Sequence, residues 1–197
     1  MSRIVVDSIR NSSASSDGIT LASDGSVTIP GNATCSGTAS GFGGGKILQV
    51  KQTLKQDTFS MSSSSSYTAV TGLSLSITPS SASNKILIFG TIYSSSPTDD
   101  YATVFALYKN GSAVSAAHGT PSGSRYGAAM KLRADGGGNA KHLHHEYLDT
   151  AGGTSAITYQ YYMAAETTGY VGRTGNDGNS WYQARCPSII TAMEIEA

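Results

Sequence analysis

The chain has 197 residues, room for one sizeable domain and an extension. Charged residues make up only 13%, where an ordinary soluble domain has roughly a quarter, and 13 basic residues balance 13 acidic ones. No basic block stands out, which excludes the electrostatic footprint of a nucleic-acid binder, and no apolar run approaches the ~20 residues of a membrane-inserted helix.

Ser, Thr, Gly and Ala occupy the places that Lys and Glu usually fill, and there are 11 Tyr beside one Trp and four Phe. A chain kept in solution by hydroxyls and amides suits short strands and turns better than exposed helices. The opening MSRIVVDSIRNSS puts charges where a secretion signal needs an apolar core, so synthesis and folding in a cytoplasm are expected. Cys35 and Cys186 lie far apart in the chain, and no disulfide between them is expected in a reducing compartment.

Residues 1–45 hold few large apolar side chains and no aromatic before Phe42. Short β-like triplets alternate with Gly, Asp and Asn turns, with Ile19/Leu21, Val27/Ile29 and Cys35 recurring between them. Such a segment cannot bury a core alone. Two readings compete, a disordered segment or one that wraps with further copies; the recurrence favours the second, a stem of intertwined strands that would supply one another's backbone partners and leave little exposed edge. GTASGFGGG over 37–45 reads as a linker, which divides the chain into a stem over 1–45 and a head over 46–197.

The head reads as strands throughout. ILQVKQ over 47–52 opens the first long one. Ser62–Ser66 reads as a polar turn. GLSLSIT over 72–78 alternates strictly, with Leu73, Leu75 and Ile77 on one face, and Pro79 ends it. KILIFGTIY over 85–93 is nearly continuous in apolar residues, which predicts burial on both faces. YATVFALYK over 101–109 runs into Asn110-Gly111, the strongest short-range hairpin signal. Further strands are predicted over 141–148, 156–165, 181–185 and 189–195. Roughly eight short strands with turn-rich gaps are the signature of a sandwich, jelly roll or barrel, and the architecture expected is an all-β head, a jelly-roll-like β-sandwich.

Little in the sequence carries chemistry. Gly43-Gly44-Gly45-Lys46 fails as a phosphate loop, because Ser40 stands five before Gly45 and Ile47 follows the lysine. The carboxylates are scattered, so neither catalytic residues nor a cofactor are expected. On the predicted strand Lys141–Leu148, His142, His144 and Glu146 share a face. Near a three-fold axis such histidines could hold a metal, but the preferred reading makes them polar surface or interface residues. The run from Thr168 to Ser180, followed by Trp181-Tyr182, combines aromatics with Arg, Asn and Asp, groups that stack on sugars and bond hydroxyls. Tyr170, Arg173, Asn176, Asp177 and Tyr182 are the receptor-contact candidates, while Trp181 reads as a core or interface residue. Tyr161 and Tyr162 face opposite sides of one strand, one buried and one exposed.

Three segments carry a resemblance. Ile4-Val5-Val6-Asp7-Ser8-Ile9 followed by DGITLASDGSVTIPGNAT, then LQVKQTLKQDTFS with YTAVTGLSLSITPSSASNKILI, and finally Tyr147-Leu148-Asp149-Thr150 with the closing ITAMEIEA, are similar to the short fibre proteins of tailed marine phages, including those of cyanobacteria. The stretches 118–146 and 166–180 depart from that pattern. The resemblance implies a homotrimeric virion structural protein rather than an enzyme. Its N-terminus, with Ile4, Val5, Val6 and Ile9, would dock on a virion adaptor, nozzle or capsid protein. Its head would contact a glycan or protein of the host surface. The alternatives are a capsid decoration or spike and, last, a polysaccharide hydrolase.

Overall fold

The computed structural model describes residues 6–9, 12–13, 15, 19–29, 46–97, 100–133 and 139–197. The chain divides into two units, Met1–Gly44 and Gly45–Ala197. Cys35, the linker 37–45, Ile4 and Val5 lie outside the described residues.

In the first unit, β1 (Ser8–Ile9), β2 (Ile19–Leu21) and β3 (Val27–Thr28) form a small antiparallel sheet in that order. The β2–β3 turn is shaped by sequence: the Asp24 carboxylate accepts the Ser26 N–H at 2.8 Å, and Gly25 takes the positive φ of 86° between them. Val6, Ile9, Leu21, Val27 and Ile29 are all exposed, so the described part of this unit has no core of its own.

The second unit contains β4 (Ile47–Lys55), β5 (Phe59–Met61), β6 (Ser64–Ile77), β7 (Lys85–Ser95), β8 (Ala102–Lys109), β9 (Ser112–Ala113), β10 (Met130–Arg133), β11 (Lys141–Thr150), β12 (Ile157–Ala165), β13 (Gly169–Val171) and β14 (Ser188–Ile195). A single 3-10 turn, Ser115–Ala117, is the helical element among the described residues. The strands form two antiparallel sheets. In the first, β4 pairs with β14, β14 with β7, and β11 covers the other edge of β7 from Lys85 to Ser94. β13 reaches β7 only at Ser94 and Ser95, so it continues the line of β14, and β5 continues that of β4. The second sheet runs β10-β8-β12-β6, with β9 beside the far end of β8.

Alternation drives the two sheets together. Leu73, Leu75 and Ile77 of β6, Ile86, Ile88 and Ile92 of β7, and Phe105 and Leu107 of β8 pack in one buried cluster. Tyr159, Tyr161 and Met163 of β12 fill its centre. Tyr161 is buried and Tyr162 is half-buried on the opposite side. The Tyr161 phenol crosses the whole core: a Cβ on Gly90 of β7 would fall on its hydroxyl, so only glycine lets the two sheets close there. Asn110 and Gly111, with φ of 50° and 78°, make the predicted hairpin between β8 and β9.

Buried Glu194 ties down the end of the sandwich near the C-terminus. It accepts Gln49 Nε2 at 2.6 Å, the Ser80 N–H at 2.7 Å, Ser80 Oγ at 2.8 Å and Asn84 Nδ2 at 2.6 Å. Burial pushes its pKa up, but these donors outweigh that and hold it down at about 2.

Three expectations are corrected. Ser64–Ser66 is not a turn but the start of β6, because Ser64 pairs with Ala165 beyond a register shift. Residues 181–185 form no strand; they belong to a loop that has its own internal frame. Strand β7 is not buried on both faces: Ile86, Ile88 and Ile92 point into the sandwich, whereas Leu87, Phe89, Thr91 and Tyr93 are half-buried on the outer side.

Candidate functional site

The loop from Gly172 to Pro187 joins β13 to β14 where β7 ends, and the backbone there is set by chemistry local to the loop. Gly172, with φ of 81°, turns the chain out of β13 close against Asp57, whose carbonyl leaves no room for a side chain. Ser95 Oγ then donates to the Arg173 carbonyl at 2.8 Å, which fixes the loop to β7.

The Arg173 guanidinium stacks 4.0 Å above the Tyr170 ring, and its Nε and Nη2 donate to the carbonyls of Thr174 (3.1 Å) and Gly175 (2.9 Å). Thr174 Oγ1 donates to Gln183 Oε1 and accepts the Asp177 N–H at 3.1 Å. Asp177, at φ of 45°, receives Arg185 through a two-point clamp, Nε at 2.9 Å and Nη2 at 2.6 Å. The Arg185 bonds, with the Arg173 charge nearby, hold the Asp177 carboxyl below the usual carboxylate range. On the far side of the loop, the Gln183 N–H donates to the Ser180 carbonyl at 2.9 Å.

This frame carries Trp181 and Tyr182 outward. Trp181 is 91% exposed and Tyr182 65% exposed, and their rings meet edge to face with centroids 5.8 Å apart. Beside them Asp177, Gly178, Asn179, Ser180, Gln183 and Arg185 line an open cleft of ≈ 440 Å³. The arrangement offers a stacking platform next to carboxylate, guanidinium and amide groups. It has the composition of a recognition surface for hydroxyl-rich ligands.

The structure gives the sequence candidates different jobs. Tyr170, Arg173 and Asp177 belong to the internal frame, while Asn176 and Tyr182 are exposed on it. Trp181 stands outside the core. Its position was hidden because a tryptophan usually marks packing; the signal was its setting, Asn179-Ser180 before it and Gln183 after it, with no apolar alternation. Val6 and Ile9 are exposed in the first unit.

His142 and His144 both point outward from β11. The His142 ring lies 4.8 Å from that of Tyr93, and His144 Nδ1 is 3.1 Å from Thr91 Oγ1. Among the described residues no group of three His, Cys, Asp or Glu could hold a metal ion. The inward histidine is His145. Its Nε2 lies 3.1 Å from the Ala117 carbonyl, which can only accept, so Nε2 carries the proton and Nδ1 takes the Tyr161 hydroxyl at 3.0 Å. His118 Nε2 accepts the Leu107 N–H at 2.8 Å. Burial is the main cause lowering the pKa of both.

Fold and site together define an antiparallel β-sandwich with a braced aromatic loop. No family profile matches the sequence, and no curated protein is similar to it. Among solved structures, the chain is similar to the VP2 subviral particle of infectious bursal disease virus at 13% identity, covering 76% of this chain and 37% of that one, with a TM-score of 0.35. The structure of the Gt strain of the same virus matches at 14% identity over 92% of this chain and 47% of that one, with a TM-score of 0.36. The chain thus spans less than half the length of these proteins, and scores of this size lie below what a shared fold gives.

Proposed function

We propose that the chain is a subunit of a homotrimeric virion fibre of a tailed phage, attached to the particle through its N-terminal residues and touching the host surface with its sandwich. Recognition is by contact, without chemistry and without a cofactor. Several weak sites on one trimer act together, which multiplies the strength of each. The observation that carries this reading is the Trp181–Tyr182 pair, both rings exposed on a loop that its own hydrogen bonds brace. Aromatic residues displayed on a loop that a β scaffold positions are the general design of a binding surface. The flat rings beside Asp177, Asn179 and Arg185 suit a glycan.

The test is retention of the labelled full-length protein on intact host cells, before and after enzymatic removal of surface polysaccharide. Binding that falls at least tenfold after stripping supports the reading. Binding that is absent from intact cells contradicts it.

A further inference from the structure

The outer side of the β4–β14–β7–β11 sheet departs from the pattern of a solvated sandwich. One face of an antiparallel sheet packs inward and the other is ordinarily polar. The second sheet meets this at one end, with Ser76 bonded to Thr158 at 2.8 Å and Gln160 on its outer side, and covers the aromatic part of that side, where Tyr108 stacks on Tyr162, with Tyr67 and Tyr126 of its own chain. The first does not. Cross-strand register puts Val50, Met193, Leu87 and Leu148 in one row across all four strands. Leu54 and Ile189 lead the row that continues through Thr91 to His144, with Phe89 in the row between. Val50 is 52% exposed, Leu54 48% and Leu148 52%.

We infer that this face is where copies of this chain meet. The inference rests on the proposed trimer and names the surface that makes it.

Three observations favour a second copy over another partner. The first is area: four strands ~4.8 Å apart and about eight residues long present roughly 500 Å² in projection, approaching the ~800 Å² that each side of a stable complex contributes. The second is charge. The face carries one ammonium, Lys85, and one carboxylate, Glu146, so it has no excess to attract a charged partner and can meet its own kind with both neutralised. The third is relief: a hollow of ≈ 400 Å³ bounded by Phe89, Thr91, His144 and Glu146 lies next to the apolar row and can receive side chains from a facing copy. The half-burial of Leu87 and Phe89, seen in one chain, becomes full burial in the assembly, which explains why β7 has the sequence of a strand covered on both sides.

The experiment is light-scattering mass of the full-length protein and of Val50→Lys, Leu148→Lys and, on the outer side of the other sheet, Ser76→Lys. The parent and Ser76→Lys are expected at three times 20.3 kDa, and the two face variants at one times that mass with the β-rich circular dichroism retained. Two variants on opposite edges keep the test open if one fails to fold. A parent at single-chain mass overturns the trimer and the face together. A multimeric parent whose two face variants keep its mass overturns the face alone.

Discussion

Trp181→Ala removes the ring that stands most fully outside the fold, at 91% exposure. A Trp side chain offers about 150–250 Å² of surface, and a flat ligand on one side of it covers roughly half. At ~25 cal/mol per Å² that contact contributes about 2–3 kcal/mol, or roughly 30- to 150-fold in affinity per site. Folding should hardly notice, because the ring's aromatic neighbour, Tyr182, is itself exposed, and surface substitutions of this kind stay within about 0.5 kcal/mol. Retention on host cells or on their purified polysaccharide, read beside thermal unfolding, separates the two effects. Undiminished binding would refute the assignment of the loop. A fall of several degrees in Tm would show that Trp181 is a packing residue after all.

Three more outcomes are expected. Gly90→Ala places a methyl group on the Tyr161 hydroxyl; overpacking of this kind costs about 1–3 kcal/mol, and the loss should be far smaller in a Tyr161→Ala background, as a double-mutant cycle by denaturant unfolding would report. His118 and His145 are held neutral by burial, so the unfolded chain binds protons that the fold refuses: stability is complete above the ordinary histidine pKa of ~6.5 and is lost as pH falls below it, and His118→Gln with His145→Gln should flatten Tm between about pH 7 and 5. Glu194, held at about 2, acts separately and only from about pH 4.5 downward. Deleting residues 1–17 should leave a folded trimer that no longer enters particles, which particle composition by mass spectrometry would reveal; normal incorporation would contradict the docking role of the N-terminus.

The strands were legible wherever alternation or a turn signal was strong. GLSLSIT and Asn110-Gly111 each encode one geometry, and the chain adopts it. The start of β6 was not legible, because Ser64–Ser66 has a composition typical of turns and becomes strand only through its pairing with β12. Residues 181–185 misled for the opposite reason. Trp and Tyr raise β propensity, but the positive φ at Gly172 and Asp177 and the Asp177–Arg185 clamp dictate a loop. The continuous apolar run of β7 misled as well: Ile86, Ile88 and Ile92 are buried while Leu87 and Phe89 are half-buried on the outer side, a difference that a run of apolar residues does not reveal. At the candidate site, sequence supplied the neighbourhood and the polar residues. It could not distinguish the groups that build the frame, Arg173 and Asp177, from those the frame displays, since that depends on which guanidinium reaches which carboxylate.

The most direct test of the account is immunogold labelling of purified particles with an antibody raised against residues 46–197. Label clustered on the tail is the predicted result, and particles that carry no label would contradict it.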